Sequence, residues 1–392
     1  MRFLQDRKLH HNISFLFWLF ISLYLLFAMI SITVSMSFLA LAFFCWLIQC
    51  LQRRQWPDFP GFFWPLIAYA LLTILSSFFS LDPAISLLDS RQLLLFLVVP
   101  IVYGGISRET ELKRANLALL ASALINILYS IFYFLFRAAP EERITGFMGH
   151  YMTQAGLLLL FCTLALSLFL FSKEKSRFLW GASFVLALFA MAITLTRSAW
   201  VGLVVAVVLI LFLYRPVTLL AVPLVLGVFL LFSPHYMKKR AYDIFSLKDL
   251  SNIYRIEYLK AGLQIIGEYP LLGTGPNMVD DVFQNPKYEL TNQARENVHL
   301  HNNFIQIAAE RGLPALFAWL GFIVWAFLSL FQFLKKKGPV LKPLTVAALA
   351  ALAALLTAGL FEYNFGDSEI IMLFLYILSL PFILARIRDV KA

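Results

Sequence analysis

Charge-poor apolar runs, most of them long enough to cross a lipid bilayer, recur from one end of this chain to the other, and no water-soluble fold could hide them all. A hydrocarbon core about 30 Å thick is crossed by about 20 helical residues. Hydropathy places about twelve helices, at residues 13–30, 32–51, 62–80, 91–106, 115–136, 153–172, 178–195, 199–214, 217–232, 314–334, 343–361 and 370–386. Of the 392 residues 61% are hydrophobic and 14% charged, against roughly half and one-quarter in an ordinary soluble domain. The chain reads as an all-α polytopic membrane protein. Residues 1–232 carry the first nine spans, 233–313 a long polar loop with short helices, and 314–392 the last three spans.

The net charge of +10 does not indicate nucleic acid, because the basic residues stand in short clusters between apolar runs and build no basic domain. They read as topology signals. An even number of spans puts both termini on one side. If that side is cytoplasmic, the inner segments hold 19 of the 32 basic residues: Arg2, Arg7, Lys8, Arg53, Arg54, Arg108, Lys113, Arg114, Lys173, Lys175, Arg177, Arg215, Lys335, Lys336, Lys337, Lys342, Arg386, Arg388 and Lys391. Eight of the other 13 belong to the long loop, where acids balance them. The positive-inside rule therefore makes both termini cytoplasmic and the long loop external. Arg2, Arg7 and Lys8 resemble the start of a signal peptide, but the apolar stretch from Ile13 to Leu51 has no cleavage point and reads as two retained spans. Cys45, Cys50 and Cys162 all fall in apolar spans, so no disulfide framework is expected.

Within the loop, Ser251 is placed to cap a helix that runs to about Gly267, with Ile253, Ile256, Leu263 and Ile266 as its apolar stripe and Arg255 and Tyr258 together on another face. Gly273, Gly275 and Pro276 follow as a turn where backbone can approach a ligand closely. A second short helix is expected from near Asn302 to Gly312, with Pro314 in the first turn of the next span.

Three places carry candidate chemistry. Arg197, in the Thr196–Trp200 hairpin between two apolar runs, serves either as a snorkelling anchor or as an anion site. Arg255 is either a solvated helix charge or one half of a diphosphate clamp, since guanidinium groups pair with phosphate oxygens in a forked geometry. His299 and His301 stand side by side in His-Leu-His-Asn-Asn, where one can act as a general base if it reaches a hydroxyl and is otherwise a surface histidine. The H-x-H spacing supplies two metal ligands without a third, so no metal is expected. Asp82, Asp89, Arg91, His150, Gln154, Glu310, Arg311, Asn364 and Glu369 read mostly as solvated charges or interface anchors. Glu362 and Asp367, at the last hairpin, could orient a histidine or neutralise an arginine. The sequence carries no P-loop, Rossmann fingerprint, nucleophile elbow or HExxH, and no cofactor is expected.

Taken in order, Leu195-Thr-Arg-Ser-Ala-Trp200, Arg255 with Pro270-Leu-Leu-Gly-Thr-Gly275, and His301-Asn-Asn-Phe-Ile-Gln-Ile with Glu310-Arg-Gly312 resemble the O-antigen ligase and polymerase family of polytopic glycosyltransferases, over about residues 178–325. The resemblance implies a bacterial inner-membrane enzyme with a periplasmic active site. Its donor would be a glycan on undecaprenyl pyrophosphate, and its acceptor, for a ligase, the lipid A core. It further implies pyrophosphate binding by Arg197 and Arg255 and catalysis by His301, with Asn302 completing a His-Asn pair and His299 an additional histidine. Tyr258, Glu362 and Asp367 are secondary candidates. Direct displacement at the anomeric carbon would invert its configuration, and arginines would supply the charge that a metal supplies elsewhere. A polymerase acting on the same donor is the alternative. A transporter or flippase is the rival from another class, disfavoured by the lack of duplicated halves and the scarcity of ionisable residues within the spans.

Overall fold

The computed structural model describes residues 2–53, 59–139, 141–336 and 338–389. Arg54, Lys337 and Lys391 of the basic clusters lie outside the described residues, as do the side chains of Arg2, Arg7, Lys8, Arg53 and Lys336. Among the described residues every regular element is helical. That is the arrangement in which a chain in lipid satisfies its own backbone hydrogen bonds. In order these are α1 (Arg2–Phe27), α2 (Ile32–Arg53), α3 (Phe63–Phe78), α4 (Pro83–Asp89), α5 (Val98–Gly105), α6 (Glu109–Phe136), α7 (Tyr151–Phe171), α8 (Arg177–Ile193) and α9 (Arg197–Tyr214). There follow α10 (Ala221–Phe232), α11 (His235–Tyr242), α12 (Leu250–Glu268), α13 (Val279–Phe283), α14 (Asn292–Arg295), α15 (Asn303–Lys336), α16 (Gly338–Ala358) and α17 (Ser368–Asp389).

All twelve apolar runs are helical, but they differ in reach. Eight helical stretches, Ile32–Gln52, Pro83–Gly105, Glu109–Phe136, Tyr151–Phe171, Arg197–Tyr214, Asn303–Lys335, Leu341–Ala358 and Ser368–Asp389, are long and apolar enough to cross a membrane. Asn12–Phe27, Phe63–Phe78, Arg177–Ile193 and Pro216–Phe232 are shorter. At 1.5 Å per residue they reach only about 25 Å, so twelve full crossings do not follow from length. The protein is a multi-pass membrane protein.

Helix α17 forms the centre, with 94% of its apolar window buried against 33% for α9 and α15. It packs on α5, α7 and α16, while α16 also packs on α7, α9 and α15. Small side chains allow that close approach, as lipid-borne helices require. A Cβ at Gly202 of α9 would stand 3.0 Å from the Ala354 carbonyl of α16. Buried polar groups add directional ties. Gln154, a candidate loop polar group by sequence, is fully buried and bonds Asn126 and Ser130. Tyr376 donates to Asn116 at 2.8 Å. Such interhelical bonds are worth about 0.6 kcal/mol each on average.

The polar segment between α10 and α15 has a small core of its own, built on Tyr258, Ile265, Val282, Phe283, Tyr288 and Leu300. Helix α12 differs from the sequence reading in two ways. Asp249, not Ser251, stands at its N-cap position. The stripe of Ile253, Ile256 and Leu263 is exposed, and the helix packs instead through Tyr258, Ala261, Gly262 and Ile265. The reason is proximity: a Cβ on Gly262 would collide with Ile305 of α15, so the small-residue face is the one that fits.

The two glycine-bearing motifs interlock. Thr274 and Gly275 donate their backbone N–H to the carbonyls of Ala309 (2.9 Å) and Glu310 (2.8 Å), and Leu313 donates to Pro270 (2.8 Å). Gly312 (φ 81°) breaks α15 where the short helix was expected to stop, and Pro314 restarts it. The turn at Gly273 and Gly275 thus approaches protein backbone and the Ser80 side chain closely, not a ligand as the sequence suggested. Gly273 has φ 68°, and a Cβ there would overlap the Glu310 carbonyl. Gly273→Ala is therefore expected to cost about 2 to 4 kcal/mol through combined strain and overpacking. The thermal unfolding midpoint of the purified variant in detergent measures it, and an unchanged midpoint would contradict the interlock.

Glu310 and Arg311, read from sequence as solvated charges, are instead buried at 2% and 6% exposure. Arg311 bonds Glu310 at 2.6 Å and lies 3.8 Å from Asp89. Glu310 accepts from the Asn277 backbone at 3.0 Å, so the pair locks the same turn from beneath.

Candidate active site

The site forms where the hairpin before α9, the start of α15 and the hairpin before α17 meet α12. Each is shaped by a local cause. Leu195 is left-handed (φ 54°) and Thr196 extended, so the chain turns sharply and α9 starts at Arg197. Asn302 caps α15, its Oδ1 accepting from the backbone of Phe304 (2.9 Å) and Ile305 (3.1 Å), the usual N-cap pattern. Next to it the fully buried Asn303 bonds Asn364 at 2.7 Å and accepts from Phe365 at 3.1 Å. That tie holds the last hairpin against α15 and brings Glu362 beside His301.

His301 is left-handed (φ 48°) and its side chain is 15% exposed. Nδ1 lies 3.2 Å from the Glu362 carboxylate and Nε2 lies 3.2 Å from Oδ1 of Asn297. Asn297 donates in turn to the Tyr258 hydroxyl at 2.8 Å, and the Tyr258 ring stands 5.6 Å from the imidazole. Burial alone would raise the Glu362 pKa. The His301 hydrogen bond, with positive charge from His301 and Arg255, more than offsets it and holds Glu362 below the ordinary carboxylate value. Glu362 is thus an acceptor for Nδ1–H, whereas Oδ1 of Asn297 accepts when Nε2 carries a hydrogen, so Nε2 serves as a base in the Nδ1–H tautomer with Asn297 turned aside. This is the orientation logic of carboxylate–histidine pairs in general.

Arginines surround this pair. Arg255 donates from Nε to the Phe361 carbonyl (3.2 Å) and from Nη1 to Asn252 (3.2 Å). Arg197 is nearly buried and fully engaged, with Asp243 O at 2.7 Å, Asp249 at 2.6 Å and the Ser251 hydroxyl on its guanidinium. It therefore moors the start of α12 to the α9 hairpin. Sequence reasoning missed Arg143, which bonds the carbonyls of Thr194 (3.3 Å) and Leu195 (3.2 Å) and stacks 3.3 Å above the Tyr151 ring. Burial lowers Arg143 to about 10, with repulsion from Arg240 and Arg197 adding to it. Arg255 is likewise lowered by burial, with Glu362 opposing and Arg197 adding. Both remain cationic at neutral pH. The missed signal was available: Arg143 is one of few basic residues assigned to short outer segments.

A cleft of about 330 Å³ opens beside the pair, lined by His150, Ser198, His299, Glu362, Asp367 and Glu369 among others. Asp367 caps α17 through Ile370 (3.3 Å) and accepts from Thr153 at 2.5 Å. His299 meets Tyr363 edge-on at 5.3 Å, and its buried Nδ1 has no hydrogen-bond partner. Of the sequence candidates, the structure thus gathers His301, Glu362, Arg255, Tyr258 and His299. Asp367 lies along the cleft, Arg197 adjoins through Asp249, and Asn302 serves as a helix cap.

Burial holds His299 below the ordinary histidine value of 6.5, with Glu362 opposing. The unfolded chain therefore takes up this proton first, and the contribution of neutral His299 to stability is complete above about pH 6.5 and lost as pH falls through its lower folded-state value. The unfolding midpoint is expected to drop on mild acidification, and less so in His299→Phe. Parallel pH curves for the two proteins would refute this.

Residues 182–320 match the family model described as O-antigen ligase. The matched stretch contains Arg197, Arg255, His299, His301 and the Glu310–Gly312 motif, whereas Glu362, Asp367 and Arg143 lie outside it. The chain is also 25% identical over 291 residues to an uncharacterized protein of Haemophilus influenzae, covering 68% of this chain and 71% of that one. The family match bears out the resemblance carried by the three motifs. The class it indicates is a membrane enzyme of O-antigen ligase or polymerase-type glycosyl transfer.

Proposed function

We propose that this protein transfers an O-antigen glycan from undecaprenyl pyrophosphate to a sugar hydroxyl of the lipid A core at the periplasmic face of the inner membrane. The observation that carries the reading is the His301–Glu362 pair set beside Arg255, with His301 and Arg255 inside the family-matched region and Glu362 supplied from beyond it. Arg255 takes the diphosphate, with Arg143 and Arg197 adding positive potential. On Arg197 the Asp249 carboxylate already occupies an anion position, so a phosphate oxygen there displaces Asp249. The acceptor sugar enters the cleft, where carboxylates suit hydroxyl groups and repel phosphate.

His301 Nε2 removes the hydroxyl proton as the oxygen attacks the anomeric carbon. The carbon–oxygen bond to the diphosphate breaks on the opposite face, so configuration inverts. Glu362 holds the ring and stabilises the imidazolium, and undecaprenyl pyrophosphate leaves with its negative charge on the arginines. Arginine supplies this charge stabilisation, so the transfer is proposed to be metal-independent.

Reconstitution of the purified protein with lipid-linked glycan, with and without a lipid A core acceptor and a chelator, tests the reading. Glycan on the core, formed equally in chelator, is the expected result. Elongation of the lipid-linked glycan alone assigns the protein as a polymerase, movement of the intact donor across vesicles without transfer as a transporter, and loss of activity in chelator refutes metal independence.

A further inference from the structure

The ends of α6, α7, α16 and α17 remote from His301, with the end of α9, enclose a cavity of about 700 Å³ that the proposed transfer does not use. Its wall is apolar, with Leu117, Leu168, Leu170, Trp180 and Leu384. Its charged residues are Lys113, Lys173, Lys342 and Arg388 against Glu109 and Glu174. Two of the cations are matched: Lys113 lies 2.5 Å from Glu174 and Arg388 lies 3.2 Å from Glu109. Among the described lining residues, four cations less two acids leaves a surplus of two, on Lys173 and Lys342. Lys173 is exposed, and the Lys342 ammonium stands 5.0 Å from the centroid of Phe171.

A cavity with an apolar wall and uncompensated cations matches a ligand of the same polarity. Basic pockets between membrane helices suit anionic lipid headgroups, with about 1 kcal/mol for each nearby lysine. Leu117 is 48% exposed, so the apolar wall runs out onto the lipid-facing surface and acyl chains leave the cavity without a gate. Inorganic phosphate would meet the lysines but gain nothing from Leu168, Leu170 and Trp180, and a zwitterionic lipid would carry no net charge to answer the surplus.

We propose that this cavity binds an anionic diacyl glycerophospholipid, its phosphate held by Lys173 and Lys342 and its chains along the Leu168, Leu170 and Trp180 wall. Helices α7, α9 and α17 run from this cavity to Thr153, Arg197 and Asp367 at the other end, so the lipid braces the helices that frame the cleft.

Native mass spectrometry of the full chain, released from neutral detergent, tests the site with phosphatidylglycerol, phosphatidylcholine and inorganic phosphate as probes. The expected result is preferential retention of phosphatidylglycerol, weakened roughly 25-fold in Lys173→Gln/Lys342→Gln, since two lysines contribute about fivefold each. Lys173→Arg/Lys342→Arg is expected to keep the preference, which separates loss of charge from loss of fold. Equal retention of the two lipids, an undiminished preference in the glutamine variant, or phosphate binding as tight as lipid binding would each overturn the proposal. None of these readouts depends on glycosyl transfer.

Discussion

Replacing Arg255 with alanine is expected to lower the turnover number by about 10²- to 10³-fold, the usual consequence of removing one well-placed donor from developing negative charge. In the proposed transfer the developing charge is on the departing diphosphate, and Arg255 is the arginine assigned to meet it. Among the described residues its guanidinium makes two hydrogen bonds, to the Phe361 carbonyl and Asn252. The Asn252 bond is local to α12, and the Phe361 bond is a single tie from α12 to the last hairpin. The unfolding midpoint of Arg255→Ala should accordingly fall less than that of Arg197→Ala. Arg255→Lys should recover little, because a point charge cannot reproduce a forked contact. Arg197→Ala should behave differently, since it strips the anchor from Asp249 and Ser251 and so should lower the midpoint as well as the activity. Full activity in Arg255→Ala, with saturating donor, would remove Arg255 from the site.

The divergence between the two arginines shows where sequence reasoning stops. Both stand in short motifs of the right order, and nothing local says that one is moored and the other is half free. That distinction rests on Asp249 and Ser251, 52 and 54 residues beyond Arg197 and brought back only by the path of α10 and α11. Periodicity located α12 and its apolar stripe, yet the stripe is not the packing face. Period reports that a helix has an apolar side, while the neighbour's shape decides which side is buried, and Gly262 against Ile305 decided it here. Glu310 and Arg311 were misread for a similar reason. Charges between apolar runs default to solvent, and their burial follows from a turn 35 residues earlier that folds onto them. The apolar runs themselves were legible because lipid imposes one rule on every residue of a span. Glu362 was legible as a candidate partner for a histidine, but its choice of His301 over His299 depended on the Asn303–Asn364 tie.

Loss of the His301 imidazole is expected to reduce turnover by about 10²- to 10⁴-fold, the range in which a positioned general base contributes. The choice of replacement matters because His301 has φ 48°. Alanine would add backbone strain there, whereas asparagine tolerates the left-handed region, so His301→Asn removes the base and keeps the turn. A large fall in turnover with an unchanged unfolding midpoint and an unchanged Michaelis constant for donor is the expected pattern. Glu362→Gln should resemble it in kind, because an amide in place of the carboxylate no longer fixes the Nδ1–H tautomer or stabilises the imidazolium. The two losses should not add: once the imidazole is gone, Glu362 has nothing to orient, so the double variant His301→Asn/Glu362→Gln should be about as slow as His301→Asn alone. Additive losses would mean that Glu362 acts through Arg255 instead, and a fully active His301→Asn would place the base elsewhere, with the cleft-lining His299 the next histidine to replace.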